Sequence, residues 1–460
     1  MLVRSDIRDY QSRVNVHQLQ NAASAAFVFM GAGKTVSTET TFLDLLDGFE
    51  VRRMLVVAPL RVARNVWSDE LKEWEHLQHL SISTITGTVE ERMKALRTPS
   101  DIHTINVENL TWLEGQYFQN GKQIRKWPWD LIVLDESQLF KSQASERWKA
   151  MARLRRYARR IILLTGTPIP NGLADMWAQA YLMDFGRRLG ITEEAFRDRW
   201  FQPVQQDQHT LWVPKAHAQR EIEDAMSDLT IALREEDHMS LPDVMTNYVK
   251  VRMSAKEQAQ YEKLARDFLL ELNGRVITAV NAGVAQGKLL QLANGAVYDN
   301  DRAWHTLHTH KLDALLELLE SVRKPALVGY TFRHDLERIG KLLTKAGKNW
   351  SLLRSDASFE AWAAGQYEIG VLHPASAGHG LNSVYKSGAE DLIWFGMTNN
   401  LQHYLQLRGR LTGGHRRAGK NIVIHHIICE DTEDIEVKHL LARKDATEED
   451  FVSSIARRVR

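Results

Sequence analysis

AAFVFMGAGKTVSTETTF, residues Ala25 to Phe42, carries the decision about the fold. Its opening, Ala25 to Phe29, is apolar and short enough for a buried strand. Residues Val36 to Leu46 continue as a helix with polar residues at its start. Between them, MGAGKT (Met30 to Thr35) supplies a glycine turn. Strand, glycine turn and helix together make a phosphate cradle, because turn N–H groups and the positive helix end converge on anionic oxygens. A full Walker A loop reads G-x-x-x-x-G-K-S/T. Here Gly33, Lys34 and Thr35 form its end, and Val28 stands where the first glycine would be. In such a loop Met30, Gly31, Ala32 and Gly33 wrap the phosphates, Lys34 neutralises β/γ-phosphate charge and the Thr35 hydroxyl binds Mg²⁺. Taken alone, the hexamer could also be a tight turn with a solvated lysine.

Outward from this stretch, short apolar runs alternate with helical patterns, as in a parallel α/β sheet. The runs are Ala26–Met30, Met54–Ala58, Leu80–Ile85, Ile102–Ile105, Leu131–Leu134 and Ile161–Leu164. From about Asp175 to Asp237 strand-like runs give way to charged, aromatic helical patterns. A second alternating series follows: Asn247–Val251, a helical region from Ser254 to about Leu292, and helix His310–Val322. It continues through strand Ala326–Tyr330, helix His334–Ala346 and strands Ile369–His373, Asp391–Phe395 and Asn421–Ile428. The basic tail, residues 456–460, is expected to fray.

At 460 residues the chain exceeds one typical core, so two or three domains are expected. A hydrophobic content of 44% with 25% charged residues is that of a soluble globular protein. Lys+Arg 59 against Asp+Glu 58 leave a net charge of +1, so a nucleic-acid site has to be a local patch. The N-terminus lacks a signal-peptide core and no run of 18 apolar residues occurs, so no membrane association is expected. Cys429 is the only cysteine, which excludes intrachain disulfides and cysteine-based zinc clusters and fits a reducing, cytoplasmic-type compartment. The His425-His426 pair lies in an apolar run and reads as strand.

Two further strand ends carry chemistry. LIVLDESQ places Asp135 and Glu136 after four apolar residues, where a parallel strand would aim them into a ligand crevice. Asp135 could hold Mg²⁺ and Glu136 could orient or deprotonate a water. The same dipeptide could instead be the acidic start of a helix. IILLTGTPIPNG breaks a second buried strand into Thr165 and Thr167, which could hydrogen-bond the acidic pair.

MGAGKT, VVAPLRVARNVW, LDES and LTGTPIPNG resemble motifs I, Ia, II and III of superfamily 2 helicases, in that order. VLHPASAGHGLN (Val371–Asn382) resembles motif V, and QLRGRLTGGHRR (Gln406–Arg417) resembles motif VI. Together they look most like Snf-family helicase-like ATPases of the compact kind encoded by bacteriophages, over about Arg8 to Ile428. The resemblance implies two tandem RecA-like parallel-sheet domains with an interdomain ATP cleft: an ATP-binding domain at residues 1–238 and a helicase domain at 239–460. It implies ATP and Mg²⁺ as ligands, with Thr35 and Asp135 on the metal and Lys34, Asp135 and Glu136 in catalysis. It gives Gln11 the reading of adenine, and Ser376, Gly378 and Gly380 contacts to strand and nucleotide. Ala58, Pro59 and Leu60, with the 106–110 stretch, fall where relatives touch the nucleic-acid backbone.

Motif VI departs from the family. Arg410 matches the first of two arginines three residues apart, and the second falls on Gly413. Gln406 and Arg410 are therefore the expected catalytic residues, with Arg416 or Arg417 as replacement for the missing finger. The function implied is an ATP-dependent DNA helicase or translocase in the cytoplasm, that of the host if phage-encoded. Duplex or single-stranded DNA ranks ahead of RNA as partner, and a monomer is expected. The rivals are a small-molecule P-loop NTPase or kinase, and a nucleic-acid-binding scaffold with impaired ATPase. Arg153, Arg156 and Arg160, at helical spacing, are candidates for tracking phosphates, and Trp112, Trp127 and Trp129 for stacking on bases.

Overall fold

In the first sheet, apolar runs lie parallel with both faces covered. A computed structural model of the chain describes residues 1–206, 209–238, 243–273, 279–299, 301, 303–377, 384, 387–412 and 421–458. The strands are β1 (Ala23–Val28), β2 (Met54–Ala58), β3 (Ile82–Ile85), β4 (Ile102–Asn106), β5 (Leu131–Asp135), β6 (Arg160–Thr165) and β7 (Thr230–Leu233). Their spatial order is β7-β1-β6-β5-β2-β4-β3, parallel throughout. Alternate residues enter opposite cores: Ala25, Phe27, Ile132 and Leu134 one, Ala26, Val28, Leu131 and Val133 the other. A period-two chain buried on both sides favours apolar residues on both faces, so β2 and most of β5 read as unbroken apolar runs, while β4 buries His103, Thr104 and Asn106 among its isoleucines.

The second sheet holds β8 (Asp243–Val251), β9 (Ala326–Gly329), β10 (Trp350–Leu352), β11 (Ile369–Leu372), β12 (Asp391–Trp394) and β13 (Asn421–Cys429). Its order is β8-β13-β12-β9-β11-β10, again all parallel. The fold class is α/β with two parallel sheets. The chain forms two compact units: Met1–Val204 with Leu211–Met239 and Ala446–Arg460, and Gln205–Thr210 with Ser240–Asp445.

Several expectations need correction. The stretch taken as free of strands holds the edge strand β7 and a two-stranded sheet, Phe201–Gln206 beside His209–Pro214. Four residues of β7 are too few to show a period, and their pairing with β1 decides them. The tail is not frayed through residue 458: helix Glu433–Arg458 is continuous, and its Phe451 and Ile455 are fully buried in the first unit's core. The sequence boundary at 238/239 therefore leaves out a C-terminal segment that groups with the first unit.

The basic run is not a stripe. Helix Glu146–Leu154 ends before Arg155, and Arg160 lies in β6. Arg155 is buried and donates to the Leu182 and Ala158 carbonyls. Arg160 donates to the carbonyls of Gln18, Leu19 and Asn21 at 2.8, 2.7 and 3.1 Å, closing the C-terminus of helix α1 (Asp9–Gln20). Arg153 pairs with Glu114. Trp127 and Trp129 are core residues, stacked edgewise with Tyr117, and so are not available to bases. Trp112 lies under the Arg92 guanidinium, 4.4 Å from the ring centroid.

In the second unit a charge is buried outright. Lys311 Nζ lies 2.5 Å from Asp434 Oδ2, both side chains fully buried, and also donates to Asn294 Oδ1 at 2.8 Å. Asn294 in turn donates to Asp335, which accepts the Phe332 N–H. Removing one member strands the other in low dielectric. Lys311→Met is expected to lower unfolding free energy by about 3–5 kcal/mol in urea titration; an unchanged midpoint would remove this pair from the structural account.

Candidate nucleotide site

Strands β1, β6 and β5 are consecutive neighbours, so the three loops leaving their carboxyl ends emerge side by side. Phe27 is in register with Thr165, and Leu164 with Asp135. At about 4.8 Å per strand, the phosphate loop and the acidic box start about 10 Å apart, within joint reach of one triphosphate. Between them the LTGTPIPNG loop begins. In an open α/β sheet this edge is where ligands bind.

In the phosphate loop, Gly31 and Gly33 both have φ +77°, a conformation disfavoured for any side chain. A Cβ on Gly33 would also fall 2.1 Å from Gln11 Nε2. The helix that follows, α2 (Lys34–Asp47), carries no side-chain cap at its N-terminus. Its first-turn N–H groups and helix dipole therefore face the loop uncapped, the arrangement an anion needs. Lys34 Nζ donates to the carbonyls of Val28 and Phe29 at 2.9 and 3.2 Å. Thr35, half-buried, starts the same turn.

Gln11 comes from α1. Its Oε1 accepts the Arg8 N–H at 2.9 Å and its Nε2 donates to the Ala32 carbonyl at 2.8 Å. The structure thus places the residue expected to read adenine against the phosphate loop itself, bracing Ala32.

Asp135, 8% exposed, accepts a hydrogen bond at Oδ2 from the indole N–H of Trp67 at 3.1 Å. Burial pushes its carboxyl up from the usual 3.8 to about 6, and the charge of Glu136 adds to the rise; Lys34 and the Trp67 N–H pull it back. Glu136 has a left-handed backbone, φ 60°, and its Oε2 accepts from Gln138 Nε2 at 2.6 Å. The positive φ turns the chain as it leaves β5. The Thr165 hydroxyl, expected to bond the acidic pair, accepts the N–H of Thr167 at 2.9 Å and closes its own turn.

Four partners escaped the sequence. Trp67, Gln138, Gln179 and Glu448 hold this site, and Glu448 accepts the Ile169 N–H at 3.0 Å. Trp67 lies 68 residues from its aspartate and Glu448 lies 279 from Ile169, so no local pattern linked them. The other expected residues sit on the second unit. Gln406 is buried on helix Leu401–Thr412, with no hydrogen-bond partner for Nε2 among the described residues, and Arg410 is half-buried on the same helix. Gly378, Gly380, Gly413, Arg416 and Arg417 lie outside the described residues.

A family model described as the SNF2-related domain matches residues 25–321. The chain belongs to the SNF2-related family. It is 36% identical over 468 aligned positions to putative protein p41 of Acyrthosiphon pisum secondary endosymbiont phage 1, covering 98% of this chain and 99% of that protein. It is 30% identical over 191 positions to helicase ssl-1 of Caenorhabditis elegans and 32% over 184 to helicase swr1 of Aspergillus fumigatus. Those matches take in 40% and 38% of this chain, but the chain spans only 8% and 10% of the two helicases. Among solved structures, the Sulfolobus solfataricus SWI2/SNF2 ATPase core in complex with dsDNA aligns over 98% of this chain and 93% of that one, at 20% identity and a TM-score of 0.44. In this SNF2-related chain no described helix is long and apolar enough to cross a membrane.

The raised pKa of Asp135 links folding to proton uptake. A carboxyl whose folded value lies above its unfolded one takes up a proton on folding, so its contribution to stability is fullest below the ordinary 3.8 and is lost as pH rises through about 6. Carbon-detected titration of labelled aspartate is expected to find this midpoint near 6. Trp67→Phe should move it upward, since the lost N–H favours the charged form; a downward move would contradict the hydrogen bond.

Proposed function

We propose that the protein is an ATP-driven DNA translocase, with ATP bound at the carboxyl edge of the first sheet. The observation that carries this reading is the side-by-side emergence of the phosphate loop, the LTGTP loop and the acidic box from β1, β6 and β5, in a chain of the SNF2-related family.

Phosphates settle on the uncapped N-terminus of α2, and Lys34 exchanges the Val28 and Phe29 carbonyls for phosphate oxygens. The hydroxyl of Thr35 and the carboxylate of Asp135 are hard oxygen donors of the kind Mg²⁺ takes. A desolvated carboxyl that holds its proton to about pH 6 is a group short of a cation, which fits that assignment. Bound there, Mg²⁺ supplies charge neutralisation at the β/γ oxygens. Glu136, oriented by Gln138, positions the attacking water and draws off its proton. Gln11 keeps the loop in shape through Ala32.

Gln406 and Arg410 of the second unit keep the nucleotide-responsive roles that the family resemblance gives them. The partner proposed is DNA, as the family resemblance implies, and similarity to relatives named as helicases supports a nucleic-acid partner. Each turnover advances the protein along DNA by alternating grip; the function proposed is movement, not strand separation.

The test is ATP turnover with and without duplex DNA, with strand displacement followed in parallel. DNA is expected to raise turnover, and Lys34→Ala to lower kcat by at least about 10²-fold. Turnover indifferent to DNA would point to a small-molecule NTPase, and DNA binding without turnover to a scaffold. Apparent Mg²⁺ affinity of the free protein is expected to weaken below about pH 6, where Asp135 is protonated; a flat profile from pH 5 to 8 would remove Asp135 from the metal's ligands.

A further inference from the structure

One fully buried amide joins two of the three loops at this edge. Gln179, on helix Asp175–Asp184, is wholly excluded from solvent, as is Ser137 in the LDES box. The Ser137 hydroxyl bonds Gln179 Oε1 at 2.8 Å. Gln179 Nε2 donates to the Pro168 carbonyl at 2.7 Å and to the Asp175 carbonyl at 3.1 Å.

The chemistry fixes every direction in this chain. Two carbonyls can only accept, so the NH₂ end of Gln179 has to face them. Its oxygen then faces Ser137, whose hydroxyl has to donate. No alternative orientation satisfies all the buried groups, and a half-satisfied buried network is costly. Ser137 follows Glu136 directly, and Pro168 lies inside LTGTPIPNG.

We propose that Gln179 is a positioning residue whose buried amide, between Ser137 and Pro168, holds the acidic box and the LTGTPIPNG loop at one fixed spacing. The inference rests on the ATPase reading and deepens it: Glu136 reaches its water only when Ser137 is tied to the neighbouring loop. The Pro168 loop is held on its far side too, since Glu448 accepts the Ile169 N–H and Asp175 Oδ2 accepts the Asn171 N–H at 2.8 Å. A displacement of that loop is therefore passed to the acidic box through Gln179. Thr165 and Thr167, the residues the sequence suggested for this link, close their own turn instead.

The experiment measures ATP turnover, with and without duplex DNA, and binding of a fluorescent ATP analogue, for the full chain and for Q179M, Q179E, S137A and S137A/Q179M. Q179M keeps length and apolar packing and loses every bond. Q179E keeps the acceptor for Ser137 and loses the donor for Pro168. S137A cuts the same link from its other end by removing one hydroxyl. For Q179M, kcat is expected to fall about 10²-fold while analogue affinity stays within about twofold. Q179E should fall with it, S137A less, and S137A/Q179M no further than Q179M alone, because both changes break one link. Additive losses, or an S137A variant with unchanged kcat, would overturn the positioning role while leaving the ATPase reading intact. Should Q179M fail to fold, S137A and Q179E decide the matter. A wild-type chain without turnover overturns both.

Discussion

Parallel strands can only be joined by crossovers that return the chain to the opposite edge, so every strand delivers its carboxyl end to the same side of the sheet. That constraint organises the candidate site. Strands that are far apart in sequence become neighbours across the sheet, and β6 is seated between β1 and β5. Three loops from three parts of the chain then share one edge. The phosphate loop brings its uncapped helix end and a lysine, the acidic box brings carboxylates, and the loop between them brings backbone groups that both neighbours can bond. Opposite charges meet because strand order puts them there.

Packing on both faces of the sheet sets the electrostatics. Asp135 ends a strand that is buried at every position, so its carboxyl meets the dry interior and its pKa rises. The Trp67 indole covers it and offers one hydrogen bond. A dry carboxylate held by neutral donors, here the Trp67 indole and the Glu136 backbone, gains when a cation arrives, since low dielectric strengthens that attraction. The same interior recruits charge for structure. Arg160 closes the end of α1, the helix that sends Gln11 to the phosphate loop, and Lys311 is held between Asp434 and Asn294. Glu39, buried on α2 with no hydrogen-bond partner for either oxygen among the described residues, has its carboxyl pushed well above the usual range.

Much of this was legible in order of residues and much was not. Short runs rich in apolar residues marked β2, β4, β5 and β6 to within a residue or so, because a strand buried on both faces favours apolar side chains on each. The phosphate loop and acidic box were legible because their chemistry demands glycine, lysine and carboxylate at fixed local spacing. The basic run misled: Arg153, Arg156 and Arg160 have helical spacing, yet the helix stops at Leu154 and burial claims Arg155 and Arg160. Charge in sequence says nothing of which side a residue faces. Edge strand β7 and the C-terminal segment that packs Phe451 and Ile455 into the first core were invisible, since each is defined by a partner distant in the chain.

By itself the sequence determined the alternation of strand and helix, the two parallel sheets and the local machinery at each strand end, because those follow from periodicity and from backbone geometry within a few residues. Only the tertiary structure decided what holds that machinery: Gln11 against Ala32, Trp67 on Asp135, and Gln179 between Ser137 and Pro168. A buried hydrogen bond needs both groups brought together and shielded from water. That shielding exists only after the sheet has assembled, and no spacing along the chain encodes it.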